Sequence, residues 1–344
     1  MLNVQKLKYY LQNLLEISSP SGYTHNITDY VKEEFHILEV PYKLTNKGNI
    51  IATLKGKNTD FERTISAHLD TLGAMVKEIK SNGTLALTPV GGYMMNSIEG
   101  ENCKIITMNE KIYTGTVQTI KPSIHIHEDA RDLKRTQENM EIVIDERVSS
   151  KEDVEALGIN VGDYICFDPR TSFTDSGFVK SRHLDDKASA AIILYAIKHI
   201  VDNHIELPYT TNFYLSTYEE IGHGAAASIS EKTVEFLSVD MGAPGTGQNS
   251  SEFTTCICAK DSSGPYDYDF KKKLVNICKS KNIPYRIDTY PHYGSDASAA
   301  LRSGYDIKTA LIGTGVYASH GYERTHMDGI IATLNLLINY CLEK

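Results

Sequence analysis

An α/β fold, with a mixed, mostly parallel sheet flanked by helices and interrupted by an inserted small β-rich domain, is what this sequence predicts. Three observations carry that reading. Helical and strand-like patterns alternate at the start of the chain, a string of short strand-like runs replaces them between about residues 72 and 167, and the alternation then resumes. The 344 residues leave room for two domains of average size. The division expected is residues 1–71 plus 168–344 for the α/β domain and 72–167 for the insert.

Val4, Leu7, Leu11, Leu14 and Leu15 fall on one face of an opening helix. Ser18, Ser19, Pro20, Ser21 and Gly22 end it in a tight turn. Apolar runs at Ile50 to Leu54 and Thr64 to Ala67 read as strands, the second leading straight into His68-Leu69-Asp70. The insert supplies further runs at Ala74 to Val76, Thr84 to Leu87, Lys104 to Thr107, Ile112 to Val117, Met140 to Ile144 and Tyr164 to Phe167. Turn signals such as Ser81-Asn82-Gly83 and Gly91-Gly92 separate several of them. One helix is expected there, with Ser149 and Glu152 as a capping box and Gly158 at its C-terminal end. Beyond the insert, Ala188, Ile192, Ile193, Ala196, Ile197, Ile200 and Val201 mark a buried helix. Strands follow at Thr211 to Ser216, Phe236 to Val239 and Thr309 to Ile312, and an amphipathic helix closes the chain from Ile330 to Leu342.

Composition narrows the function. The chain is 41% hydrophobic and 23% charged, as soluble globular proteins are. Its 35 basic residues against 44 acidic ones give a net charge of −9, which argues against nucleic acid as a partner. The longest apolar run, Ala190 to Ile197, is far too short for a membrane span, so no membrane association is expected. Gln5, Lys6, Lys8, Gln12 and Asn13 break up the N-terminal apolar residues, which reads as a helix and not as a signal peptide. Six scattered cysteines form no disulfide framework, and a cytoplasmic location follows as the expectation.

Five groups of metal-ligand residues punctuate the α/β parts: His68-Leu69-Asp70, Asp185-Asp186, Glu219-Glu220, Asp240 and His320. Four of the five follow a strand-like run, and in a parallel sheet the carboxyl ends of the strands share one edge. Two imidazoles and three carboxylates suffice for two divalent ions if one carboxylate bridges them, leaving positions open for water and substrate. That donor set suits zinc, cobalt or manganese. Asp70, on the same side of an extended chain as His68, is placed to accept the second imidazole N–H. Of the paired glutamates, one would bind metal and its neighbour would act as general base.

Each piece has an ordinary reading when taken singly. Asp185-Asp186 before a helix resembles an N-cap, Glu219-Glu220 a solvated loop, and Asp240 a turn residue. Their conjunction at one predicted edge is what points to a site. Elsewhere the ordinary reading holds: His125 and His127, like Cys256 and Cys258, are taken as strand alternation, Gly313-Thr314-Gly315 as a loop, and Lys271-Lys272-Lys273 as a solvated helix face.

In their order the motifs resemble those of the tetrahedral (TET) metalloaminopeptidases, the group containing glutamyl and deblocking aminopeptidases. The segments that carry the resemblance are Ile17 to Tyr23, Ala67 to Asp70, Gly91-Gly92, Gly158 to Asp163, Leu184 to Lys187, Tyr218 to Gly222, Val239-Asp240, Gly294 to Ala297 and Ser319-His320. Lys187 stands where that family often has Arg, and Thr24 where Glu is common. The resemblance implies a zinc-peptidase-like catalytic domain with an inserted dimerisation domain, and dimers that assemble into a dodecamer. It implies His68 and Asp240 on one metal, Glu220 and His320 on the other, and Asp185 bridging. It further implies Glu219 as general base, Asp70 orienting His68, Asp186 supporting the bridging carboxylate, and Asp296 near the substrate. The expected activity is removal of N-terminal residues from short peptides by attack of a metal-bridged water. A metal-dependent carboxypeptidase or N-acyl amino acid deacylase on the same site, and a non-catalytic protein that has kept the scaffold, are the alternatives.

Overall fold

A computed structural model describes residues 2–344. Residues up to Asp70 together with Arg170–Lys344 form one compact unit, and Thr71–Pro169 form a second.

The first unit is built on a nine-stranded mixed sheet with a parallel centre, the predicted α/β architecture. Across it run Tyr42–Leu44, Ile50–Leu54, Leu207–Ser216, Gly56–His68, Thr233–Gly242, Lys308–Gly315, Thr255–Asp261 and Gly264–Pro265, with Tyr285–Thr289 also paired to Thr255–Asp261. The four strands from Leu207–Ser216 to Lys308–Gly315 are parallel, in the register Ser216 opposite His68, Ser238 opposite Ser66 and Asp240 opposite Gly313. Side chains alternate between the faces as the two-residue period requires. Phe213, Leu215, Leu237, Val239, Ala310 and Ile312 join one core with helices Val4–Glu16, His25–Ile37, Leu184–Asp202, Tyr268–Lys281 and Met327–Leu342. Tyr214, Phe236 and Leu311 join a smaller core with Ala297 and Ala300 of the Asp296–Arg302 helix.

Several elements differ from the sequence expectation for physical reasons. The Gly56–His68 strand is longer than its apolar core, because its first residues are mostly exposed and carry no apolar signal. Parallel pairing with Leu207–Ser216 holds them in the sheet across a register shift at Tyr209 and Thr210. Gly313, Thr314 and Gly315, expected as a loop, continue the Lys308–Gly315 strand. A Cβ at Gly313 would lie 2.1 Å from the Asp240 carbonyl oxygen, so glycine here permits close backbone approach and does not mark a turn. The His25–Ile37 helix, not anticipated, buries Ile27, Val31 and Phe35 at the four-residue spacing of a helix face.

The second unit is a closed barrel in which Gly73–Ile79, Leu85–Val90, Met140–Ile144, Ile112–Thr119, Asn102–Ile106 and Tyr164–Phe167 follow one another around the ring. Closure leaves no free strand edge. Its helix, Lys151–Ala156, is capped by Ser150 and Asp153, one residue beyond the expected Ser149 and Glu152, and Gly158 takes φ +85° after its end. His125 and His127, expected on a strand, lie outside any strand. Among the described residues no helix is long and apolar enough to cross a membrane.

Candidate metal centre

The shared carboxyl edge of the parallel strands brings the predicted residues together. His68 ends its strand, Asp240 stands near the end of Thr233–Gly242, and Glu219-Glu220 forms a single 3₁₀ turn just beyond Ser216. Asp185 and Asp186 open the Leu184–Asp202 helix with non-helical backbone angles and a cis peptide between them. His320 lies in the loop after Lys308–Gly315, with φ +62°.

Asp185 occupies the middle. Its Oδ1 lies 3.2 Å from His68 Nε2, and its Oδ2 lies 3.5 Å from His320 Nε2. Donor atoms of His68, Asp185 and Asp240 all fall within 4.8 Å of one another. On the other side, Glu220 Oε2 is 3.5 Å from His320 Nε2. Glu219 Oε2 stands 3.8 Å from His68 Nε2. Asp186 lies just behind, its Oδ2 accepting the His68 main-chain N–H at 3.2 Å. The His68 side chain is 2% exposed while that of His320 is 40% exposed, so the cluster opens to solvent beside His320.

The electrostatics are those of an anionic cluster short of positive charge. Burial, followed by the charge of Asp185, pushes Glu220 up to about 8 and Asp240 up to about 7. Burial also carries Glu219 and Asp186 well above the usual carboxylate range. Burial works against a charged Asp185 too, but His320 and His68 outweigh it and hold that carboxyl down. Burial disfavours the charged His68 imidazolium, yet Asp185, Glu219, Asp186 and Asp70 together carry its pKa well above the ordinary histidine range. Glu220 Oε1, Asp240 Oδ1 and Asp186 Oδ1 are buried without a hydrogen-bond partner. Buried carboxylate oxygens need a donor or a cation. The donor set and these three oxygens therefore fit divalent cations.

Asp70 and Asp296 have their shortest side-chain contacts away from the partners expected for them. The second nitrogen of His68, Nδ1, meets the Asp70 main-chain carbonyl at 2.8 Å, whereas the Asp70 carboxylate is 3.7 Å away. That carboxylate instead accepts the N–H groups of Glu219 (3.1 Å) and Glu220 (3.3 Å) and the Ser21 hydroxyl (2.5 Å). The Asp296 carboxylate, expected near the substrate, is turned inward. It is 2% exposed, and its two oxygens accept Ser216 Oγ at 2.7 Å and the Ala225 N–H at 2.9 Å. It thus braces the segment that carries the paired glutamates.

Sequence reasoning missed Glu323 and Tyr293, and gave Ser319 no role of its own. Glu323 accepts the N–H groups of His320 (3.0 Å) and Asp185 (3.1 Å), tying two of the clustered residues together. Ser319 donates to Asp185 Oδ2 at 3.0 Å. The Tyr293 hydroxyl donates to the Met241 carbonyl at 3.1 Å, next to Asp240. A carboxylate three residues after His320 was the available signal for Glu323; Tyr293 offered none.

A family model described as M42 glutamyl aminopeptidase matches residues 48–336. The chain belongs to that family. The putative aminopeptidase YhfE of Bacillus subtilis (strain 168) is 49% identical over 99% of this chain and 98% of its own. Among solved structures, the TET aminopeptidase of the marine sediment archaeon Thaumarchaeota archaeon SCGC AB-539-E09 superposes with a TM-score of 0.88 at 20% identity, covering 98% of this chain and 97% of that one. The TET1 peptidase of Pyrococcus horikoshii, described as able to assemble into a tetrahedron or a large octahedral shell, gives 0.85 at 24% identity over 98% and 100%. This M42 chain is a peptide hydrolase with an aminopeptidase's family and fold, as the motif resemblance implied.

Proposed function

We propose that this M42 protein is a dinuclear metal-dependent aminopeptidase that removes N-terminal residues from short peptides. The observation that carries the reading is the Asp185 carboxylate set between the His68 and His320 imidazoles, with Asp240 and Glu220 to either side. His68 and Asp240 would hold one ion, Glu220 and His320 the other, and Asp185 would bridge them, with Asp186 behind. Zinc, cobalt or manganese suits this mixture of imidazole and carboxylate. Bound there, two divalent ions would polarise the scissile carbonyl and make water a better nucleophile at neutral pH.

The chain's own residues supply the rest. Glu219, left out of both ligand sets, takes a proton from the attacking water and returns it to the leaving amine. Its burial raises its proton affinity, as a base working near neutrality requires. Asp70 holds the backbone of both glutamates, and its main-chain carbonyl fixes the His68 ring. The half-exposed His320 side leaves room for a peptide to approach. Glu219→Gln in the metal-loaded protein tests the assignment. Turnover should fall by roughly 10²–10⁴-fold, the usual contribution of a general base, with two ions retained. Near-normal turnover with both ions bound would overturn it.

The second unit is read as a dimerisation domain, with dimers building a dodecamer that admits only short or unfolded peptides. Support comes from the shells described for Pyrococcus horikoshii TET1, and from the exposed Met94, Met108, Ile124, Ile126 and Val161 on the insert. Sedimentation should find large particles; monomers alone at micromolar concentration would contradict this. Six buried cysteines, all free, suit a cytoplasmic location.

A further inference from the structure

We infer that Lys47 and Asn49, in the turn between strands Tyr42–Leu44 and Ile50–Leu54, are positioning residues that fix the Glu219-Glu220 turn for catalysis. The inference rests on the reading of Glu219 as general base. Asn49 is fully buried, and all of its side-chain polar atoms are engaged with that segment or with its strand. Its Oδ1 accepts the Thr217 N–H at 3.1 Å and the Thr217 hydroxyl at 2.8 Å. Its Nδ2 donates to the Tyr214 hydroxyl at 2.6 Å and to the Gly224 carbonyl at 3.3 Å. Lys47 Nζ donates to the carbonyls of His223 and of Gly224, the latter at 3.1 Å. One short turn thus grips the entry to the glutamate loop at Thr217 and its exit at His223 and Gly224.

The loop needs such a grip. Ile221, its only large apolar side chain between Glu220 and Gly224, is 40% exposed, and Gly222 at φ +79° permits a backbone reversal without packing. Apolar burial therefore does not set where the glutamates point. Polar bonds do, from Asp70 beneath, Asp296 at Ala225, and Lys47 with Asn49 across both ends.

The test compares Lys47→Met, which keeps the aliphatic stem and drops the donor, with Lys47→Arg, Asn49→Asp and Glu219→Gln, all in the full-length, metal-reloaded protein. Misplacement of a reacting group by about 1 Å costs up to ~10²-fold, and the partial release expected here should lower kcat about tenfold in Lys47→Met and Asn49→Asp. KM and ions per subunit should stay near the parent, as should the Tm of the two Lys47 variants, whereas Asn49→Asp turns a buried carboxylate oxygen toward the Gly224 carbonyl and should lower Tm. Lys47→Arg should recover most of kcat. A parent-like kcat in both Lys47→Met and Asn49→Asp, or a change confined to KM, overturns the inference. If Glu219→Gln is inactive while these variants are not, only the inference falls. If Glu219→Gln turns over normally, the base assignment falls instead.

Discussion

Asp70→Asn separates two jobs that one residue performs. The Asp70 carbonyl, which meets His68 Nδ1 at 2.8 Å, survives the substitution. The carboxylate does not, and it holds Glu219 N–H at 3.1 Å through Oδ1, and Glu220 N–H at 3.3 Å and Ser21 Oγ at 2.5 Å through Oδ2. An amide keeps one acceptor and turns an NH₂ group toward donors at the other. Hydrogen bonds to a charged group contribute about 1.5–3 kcal/mol each, so losing one of the two main-chain bonds removes about 1.5–3 kcal/mol from the hold on the turn, and the bond that remains is weaker because its acceptor is no longer charged. Relaxation will recover part of that, and the rest appears as displacement of Glu219 and Glu220. A displacement of about 1 Å costs roughly 10²-fold in rate. The assay is kcat and KM on aminoacyl-p-nitroanilides, with metal content measured by elemental analysis. The expected result is kcat down by about two orders of magnitude with both ions retained. Loss of an ion, with normal turnover in the fraction still fully loaded, would return the carboxylate to the histidine and refute the reasoning.

Three further outcomes follow from the structure. With Glu220 raised to about 8 and Asp240 to about 7, the metal-free protein holds protons that a cation must displace. Calorimetry in buffers of different ionisation enthalpy should show greater proton release from these carboxyls near pH 6.5 than near pH 9, and equal release at both would contradict the assignment. A carboxyl whose pKa is higher folded than unfolded supports folding below its unfolded value, ~4, and withdraws that support as the pH rises through its folded value. The Tm of the metal-free protein should therefore fall as pH rises from 6 through about 8, and metal should reduce the slope; a slope unchanged by metal would contradict this. Gly313→Ala would set a Cβ 2.1 Å from the Asp240 carbonyl oxygen and should lower stability by at least about 1–3 kcal/mol in denaturant unfolding, whereas unchanged stability would show that the strands can part freely.

Much of the site was legible because its residues follow apolar runs, and runs such as Ile50–Leu54, Met140–Ile144 and Tyr164–Phe167 are strands over just those residues. A chain that places His68, Glu219, Asp240 and His320 after such runs declares their common edge. Partner choice was less legible. Spacing puts Asp70 beside His68, but only the fold puts the Glu219 and Glu220 N–H groups within closer reach of its carboxylate. Nor does the residue type of Asp296 tell whether a carboxylate faces substrate or braces a strand end. Glycine is ambiguous for a related reason: Gly222 reverses the chain, while Gly313 sits inside a strand because a neighbouring backbone fills the space of its side chain. An N-cap reading of Asp185-Asp186 also does not foretell their burial, for Leu184 through Ile197 are all buried, Asp185, Asp186 and Lys187 included.

The most direct test of the account strips the protein of metal, reloads it with Zn²⁺, Co²⁺ or Mn²⁺, and follows aminoacyl-p-nitroanilide cleavage while counting ions per subunit. The account predicts that release returns with metal and reaches its full rate at two ions per subunit. Two bound ions with no release from any free-amine substrate, and hydrolysis of an N-acetyl amino acid in its place, would contradict it.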